Sequence, residues 1–193
     1  MATTNTVVRS LHDLGLAAWF GGSLMGNLGV NGGAAAAREP TERLRIAGEG
    51  WDRWAPVNAA AVAATTLGGI GLTLVNRSRL VAQRGVATTA TVKAAVTFGA
   101  MAASGYARVL GRRLESRQQE PVEGPTTPAG ATAEDVAGIQ RQLRVVQWSV
   151  TALTGTMVVI NAYMGEQQRP KAVVSGTLGR LTGGRGGIGR STR

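Results

Sequence analysis

Few side chains in this sequence could do chemistry. There is a single histidine, His12, followed directly by Asp13, and there is no cysteine among the 193 residues. Lys93 stands alone in a stretch, Gly85 to Ala107, that is otherwise uncharged. An imidazole beside a carboxylate can relay a proton, and an ammonium facing a carboxylate can hold an anion or an exchangeable ion. Asn76 and Asn161 add two amides that hydrogen-bond without titrating. The missing cysteines exclude disulfides, thiolate nucleophiles, iron–sulfur clusters and cysteine zinc sites.

Position decides what this small set can do, and position depends on where charge is absent. Leu14 to Ala37, Trp54 to Asn76 and Val145 to Gly165 contain no Asp, Glu, Lys or Arg. Each exceeds the roughly 20 residues that carry a helix across a hydrocarbon core. A soluble Ala-rich bundle needs a charged outer stripe every 3.6 residues, and these windows have none. The expectation is an all-α integral membrane four-helix bundle over 1–165, with spans near 10–36, 55–76, 86–108 and 145–165, followed by a disordered basic tail over 166–193. Trp51, Trp54, Trp148, Tyr106 and Tyr163 fall at or near window ends, where amphipathic rings favour the headgroup level. Pro56 fits the first turn of the second span. An Ala-x-Ala match at Ala35–Ala37 would suit a leader cleavage site, but the apolar run is long and Asn27 and Asn31 interrupt it, so a retained helix is expected.

The net charge is +10 with a pI near 11.6, while mean hydropathy is only +0.03. Lys and Arg divide equally between the two sides of a four-span topology. Of the acids, only Asp13 and Glu166 lie on the terminal side, which tips the expectation to cytoplasmic termini in a bacterial inner membrane. Arg38 to Arg53 reads as a surface helix or a solvated loop, and Glu115 to Gly130, with three prolines, as a flexible linker. Thr132 and Asp135 match an acidic capping box that would open the last helix. The tail carries Arg180, Arg185, Arg190 and Arg193 among glycines, so anionic lipid is its natural partner. It lacks aromatic stacking residues, which argues against RNA.

With this topology the polar residues take depths. His12, Asp13, Asn76, Lys93 and Asn161 form an intramembrane polar cluster at one level. Lys93 either pairs with Asp13 or snorkels to the interface. Met25 and Met101 fall in the other leaflet, so His–Met haem ligation would need Met164, and zinc would need Glu166 beside His12 and Asp13. Ser23, Ser104 and Ser149 have no histidine at their depth, and GGRGGIGR near the end follows no strand, so neither a hydrolytic centre nor a nucleotide loop is expected. The reading is a protein without enzymatic activity and without a bound metal or cofactor.

Packing is the clearest instruction. Gly15, Gly22 and Gly29 recur every seven residues, with Gly26 on the same seam, and glycine lets a neighbouring helix approach closely. The seam serves either a tight single-chain bundle or a homo-oligomer. The opening LHDLGLAAWFGGSLMGNLGVN, with a histidine at a span entry followed by Leu-Gly and Trp-x-Gly-Gly, resembles the first helix of copper-resistance D-type bacterial membrane proteins. It is also similar to a group of Arg- and Ala-rich actinobacterial four-span proteins. The resemblance implies a four-helix bundle and a metal connection through His12. The expected function is non-enzymatic association with membrane partners as an accessory or assembly subunit. The alternatives are a small-solute or ion carrier using Asp13 and Lys93, and a haem- or copper-binding membrane protein.

Overall fold

The computed structural model describes residues 2–75 and 84–168. Asn76 and the tail residues Arg180, Arg185, Arg190 and Arg193 lie outside the described residues. The chain divides into a unit over Met1–Ile160 and a second over Asn161–Arg193, whose described part is the end of the last helix and includes Asn161.

The described chain is almost entirely helical. α1 (Ala2–Met25) passes through a π-turn, Gly26–Val30, into the short α2 (Asn31–Ala35). A 3-10 turn, Pro40–Glu42, then opens α3 (Arg43–Val75). α4 spans Arg84–Glu115 and α5 spans Glu134–Gln168. By length and apolar composition, two helical stretches could cross a membrane, Pro40–Val75 and Glu134–Met164. α1, which contains Arg9, His12 and Asp13, and α4, which contains Lys93 and ends on basic residues, do not reach that apolar composition.

Several local expectations are corrected. Arg38 to Arg53 is neither a loop nor a separate surface helix, because α3 begins at Arg43 and runs on without a break. Arg45 pairs with Glu49 at 2.8 Å and with Glu42 at 3.3 Å, contacts one helical turn apart that support this start. Leu44 and Ala47 supply its buried face. Pro56 is therefore interior to a helix, where its missing N–H denies the Asp52 carbonyl its helical partner. Trp51 and Trp54 do not sit as a surface belt; their rings pack on α1 over Gly26 and Gly22 respectively.

The segment joining α4 to α5 is ordered as well. It holds an antiparallel pair, β1 (Val122–Gly124) and β2 (Thr127–Pro128), with Val122 opposite Pro128 and Gly124 opposite Thr127. Distant side chains satisfy its backbone. Arg43 donates to the carbonyls of Val122 at 2.8 Å, Glu123 at 3.1 Å and Ala37 at 3.0 Å. Gln140, fully buried, donates to the carbonyls of Gly124 and Pro125. Thr132 ties the segment to itself, donating to the Pro121 carbonyl at 2.6 Å and accepting from the Ala129 amide. It does not cap α5.

Two apolar clusters organise the unit. Leu16, Trp19, Ala61, Ala100, Val150 and Met157 meet where the four long helices cross. Leu44, Leu110, Leu114, Val122, Val136 and Leu143 form a second cluster under the β1/β2 cap.

Candidate functional site

The polar interior is built on the contact between α1 and α3. A Cβ added to Gly15 would stand 2.6 Å from the Thr65 amide nitrogen and 2.7 Å from the Ala61 carbonyl oxygen. A Cβ on Gly68 would stand 2.6 Å from the His12 nitrogen. Backbone meets backbone here, which only glycine on each side permits. Gly22 and Gly26 continue the seam by receiving the Trp54 and Trp51 rings. Gly29 does not join it, since its Cβ space is filled by Met25 of its own helix. The cause is the π-turn: the Asn31 amide bonds the Gly26 carbonyl five residues back, and the wider turn rotates the next residues out of the seven-residue register.

This close approach places His12. Its ring is buried, with Nδ1 2.7 Å from the Thr65 carbonyl oxygen and Nε2 2.8 Å from Lys93 Nζ on α4. A carbonyl only accepts, so Nδ1 carries a proton toward Thr65. Nε2 is left as an acceptor, and the Lys93 ammonium donates one of its protons to it. His12 thus meets Lys93 directly, and the Asp13 carboxylate is near enough to act on the same ammonium through its charge. Asp13, one residue on and about 100° around the helix, is exposed and lines a surface hollow with Thr6, Arg9, Ser10 and Leu14. A sequence signal for this was present: His12, Leu16 and Trp19 share one helical face, and Asp13 lies off it.

Toward the cap the interior becomes a ladder of amides and hydroxyls. Asn27 Nδ2 donates to Thr151 Oγ1 at 3.1 Å, and Asn31 Nδ2 donates to Gln147 Oε1 at 2.8 Å. Trp51 Nε1 donates to Asn31 Oδ1 at 2.9 Å. Asn27 lies in the π-turn and Asn31 directly follows it, and both reach neighbouring helices. Sequence reading took Asn27 and Asn31 only as interruptions of an apolar run. Among the described residues, two buried acceptors, Asn27 Oδ1 and Gln140 Oε1, have no partner.

Beside the ladder lies a cavity of about 810 Å³ between α3 and α4, backed by α1 and α5. Its walls include Trp54, Asn58, Val62 and Leu67 on α3, and Met101, Ser104, Gly105 and Arg108 on α4. Arg108 pairs with Asp52 across the two helices. The cavity was not anticipated, although Gly48, Ala55, Ala59 and Ala63 mark one thin face of α3.

Among the described residues the donors do not gather for a copper ion or haem. Both nitrogens of His12 are engaged, and no group of three His, Cys, Asp or Glu residues comes together among the described residues. Among the described residues, Ser23 bonds the Phe20 carbonyl, Ser149 the Val145 carbonyl, and Ser104 accepts from Trp19. No family model matches the chain, and no curated protein or solved structure shows significant similarity to it.

Proposed function

We propose that this is a four-span protein of the bacterial inner membrane that works by association with lipid and membrane partners and catalyses no reaction. The observation that carries the reading is an inverted polarity. His12, Thr65, Gln147, Thr151 and Thr154 are buried, while Leu14, Phe98 and Val159 are 72%, 70% and 68% exposed. In water each such side chain would forgo about 1.5–3 kcal/mol of burial free energy, a cost that lipid removes. A core helix of a soluble protein hides its apolar window. Here only 17% and 33% of the two most apolar windows are buried.

The low mean hydropathy is compatible with this reading because many hydroxyls are already satisfied. Thr66, Thr97, Thr154 and Thr156 each donate to the carbonyl one turn back, which hides polarity that a hydropathy count still charges to the helix. In this reading α1 and α4 span as well, the β1/β2 cap faces outward and both termini are cytoplasmic. The basic tail, with Arg180, Arg185, Arg190 and Arg193, lies on anionic lipid.

Fractionation with reporter fusions tests the proposal. The chain should remain in membranes after alkaline extraction, and reporters inserted after Gln119 and after Arg193 should report opposite sides. Release by alkali would overturn membrane insertion, and both reporters on one side would overturn the four-span topology.

The His12–Lys93 contact favours a second reading, a carrier in which the proton of that hydrogen bond exchanges with a cation. A pH-driven flux in proteoliposomes that Lys93→Met abolishes would put the carrier first; no flux above empty vesicles would retire it.

A further inference from the structure

We propose that the α3/α4 cavity binds one uncharged lipid with a long hydrocarbon chain and a carbonyl-bearing head. The inference rests on the membrane reading and adds a ligand to it.

Shape argues for a chain. The lining runs on α3 from Leu44 to Leu67, about 35 Å at 1.5 Å per residue. The cavity, about 810 Å³, is drawn out along that face, and an extended alkyl chain can lie in it with its carbons about 4 Å from the lining atoms.

Charge argues for a neutral molecule. Arg108 is already paired with Asp52, and the other charged lining residue is the acid Glu115. A phosphate head would meet no uncommitted cation there, and burying an unpaired charge is expensive.

Hydrogen bonding argues for an acceptor on the head. Trp54 and Asn58 both line the cavity and stand four residues apart on one face of α3. The side-chain N–H groups of both carry no hydrogen bond among the described residues. Two such donors at the headgroup end of a span match the carbonyl or ester oxygens of a lipid whose chain continues past Val62 and Met101 toward Leu67. Isoprenoid quinones and neutral glycerides both present this chemistry.

Glycines supply clean variants. A Cβ on Gly105, in the cavity wall, would meet nothing within 4 Å, and neither would one on Gly21, on the exposed face of α1. Gly105→Phe therefore adds a ring at the cavity wall from an open Cβ position, and Gly21→Phe adds the same ring outside it. The full chain should be purified from membranes in mild detergent, analysed by native mass spectrometry, and its retained lipid extracted and identified. The expected result is one neutral lipid per chain in the wild type and in Gly21→Phe, with occupancy down about tenfold or more in Gly105→Phe at unchanged thermal stability. Asn58→Leu, which removes a donor without filling space, should lower occupancy as well. Benzoquinone or glyceride masses in the extract would tell the two sources apart. Equal retention in all variants, or retention of phospholipid only, would overturn the lipid site while leaving membrane insertion intact. Recovery of the wild type in the soluble fraction would overturn the membrane reading instead.

Discussion

Small residues line two faces of α3, with opposite results. Toward α1, Gly68 receives the His12 backbone and the helices touch chain to chain. Toward α4, Gly48, Ala55, Ala59 and Ala63 face a gap rather than a neighbour. The difference lies in what the facing helix offers. Gly15 of α1 meets the Ala61–Thr65 backbone directly, and Gly22 and Gly26 give room to the Trp54 and Trp51 rings, so the facing surfaces interlock and dispersion contacts accumulate. α4 is held off at the cap, where Leu44 of α3 and Leu110 and Leu114 of α4 belong to the same apolar cluster as Val122 of the β1 strand. A small residue thus permits close approach, and the partner and the ends of the helix decide whether it happens.

The largest effect should come from closing the first face. Gly68→Leu would drive a side chain into the His12 backbone, which cannot yield, and should cost at least about 3 kcal/mol. Unfolding of the purified chain in a fixed detergent measures this. A loss below about 1 kcal/mol would mean the helices can part freely there.

Next comes the cap. Arg43→Ala removes the guanidinium that holds the carbonyls of Ala37, Val122 and Glu123 and should cost about 2 kcal/mol, the scale of hydrogen bonds to a charged donor. Limited proteolysis should then cut within residues 116–133. Unchanged cleavage would show that the cap holds itself together without α3.

Smaller again is the His12–Lys93 contact, which the seam positions. In a double-mutant cycle, His12→Phe and Lys93→Met should couple by about 1–2 kcal/mol, whereas Asp13→Asn and Lys93→Met should add within about 0.5 kcal/mol. Coupling to Asp13 of the larger size would mean that the carboxylate, not the imidazole, is the main partner of Lys93.

Legibility in the sequence tracks the range of each interaction. The uncharged windows mark the helices, and the seven-residue spacing marks Gly15, Gly22 and Gly26 as a packing face, because both signals are local and periodic. Depth brought His12, Asp13 and Lys93 to one level, but depth says nothing about rotation, and the inward residue proved to be His12. The π-turn at Gly26–Val30 broke the period and took Gly29 off the seam. The segment after α4 looked unstructured because its order comes from Arg43, 79 residues away from Val122. Locally, three prolines and polar side chains gave no reason for it.

The smallest expected change has the opposite sign. Gly105→Ala on the open face should stabilise the chain by up to about 1 kcal/mol, since a helix gains propensity and nothing is displaced. Destabilisation would mean that α4 closes on α3 in the membrane.

A four-span bundle requires the outer faces of all four long helices to lie in lipid, and the natural absence of cysteine makes this directly measurable. Leu14→Cys, Ile70→Cys, Phe98→Cys and Val159→Cys sample α1, α3, α4 and α5 in turn, with Gln119→Cys in the segment after α4 as the exposed reference. In permeabilised membranes a water-soluble maleimide should label Gln119→Cys within minutes and leave the other four unmodified until detergent and denaturant are added. Labelling of Leu14→Cys or Phe98→Cys at the rate of Gln119→Cys would place α1 or α4 in water and contradict the four-span membrane bundle.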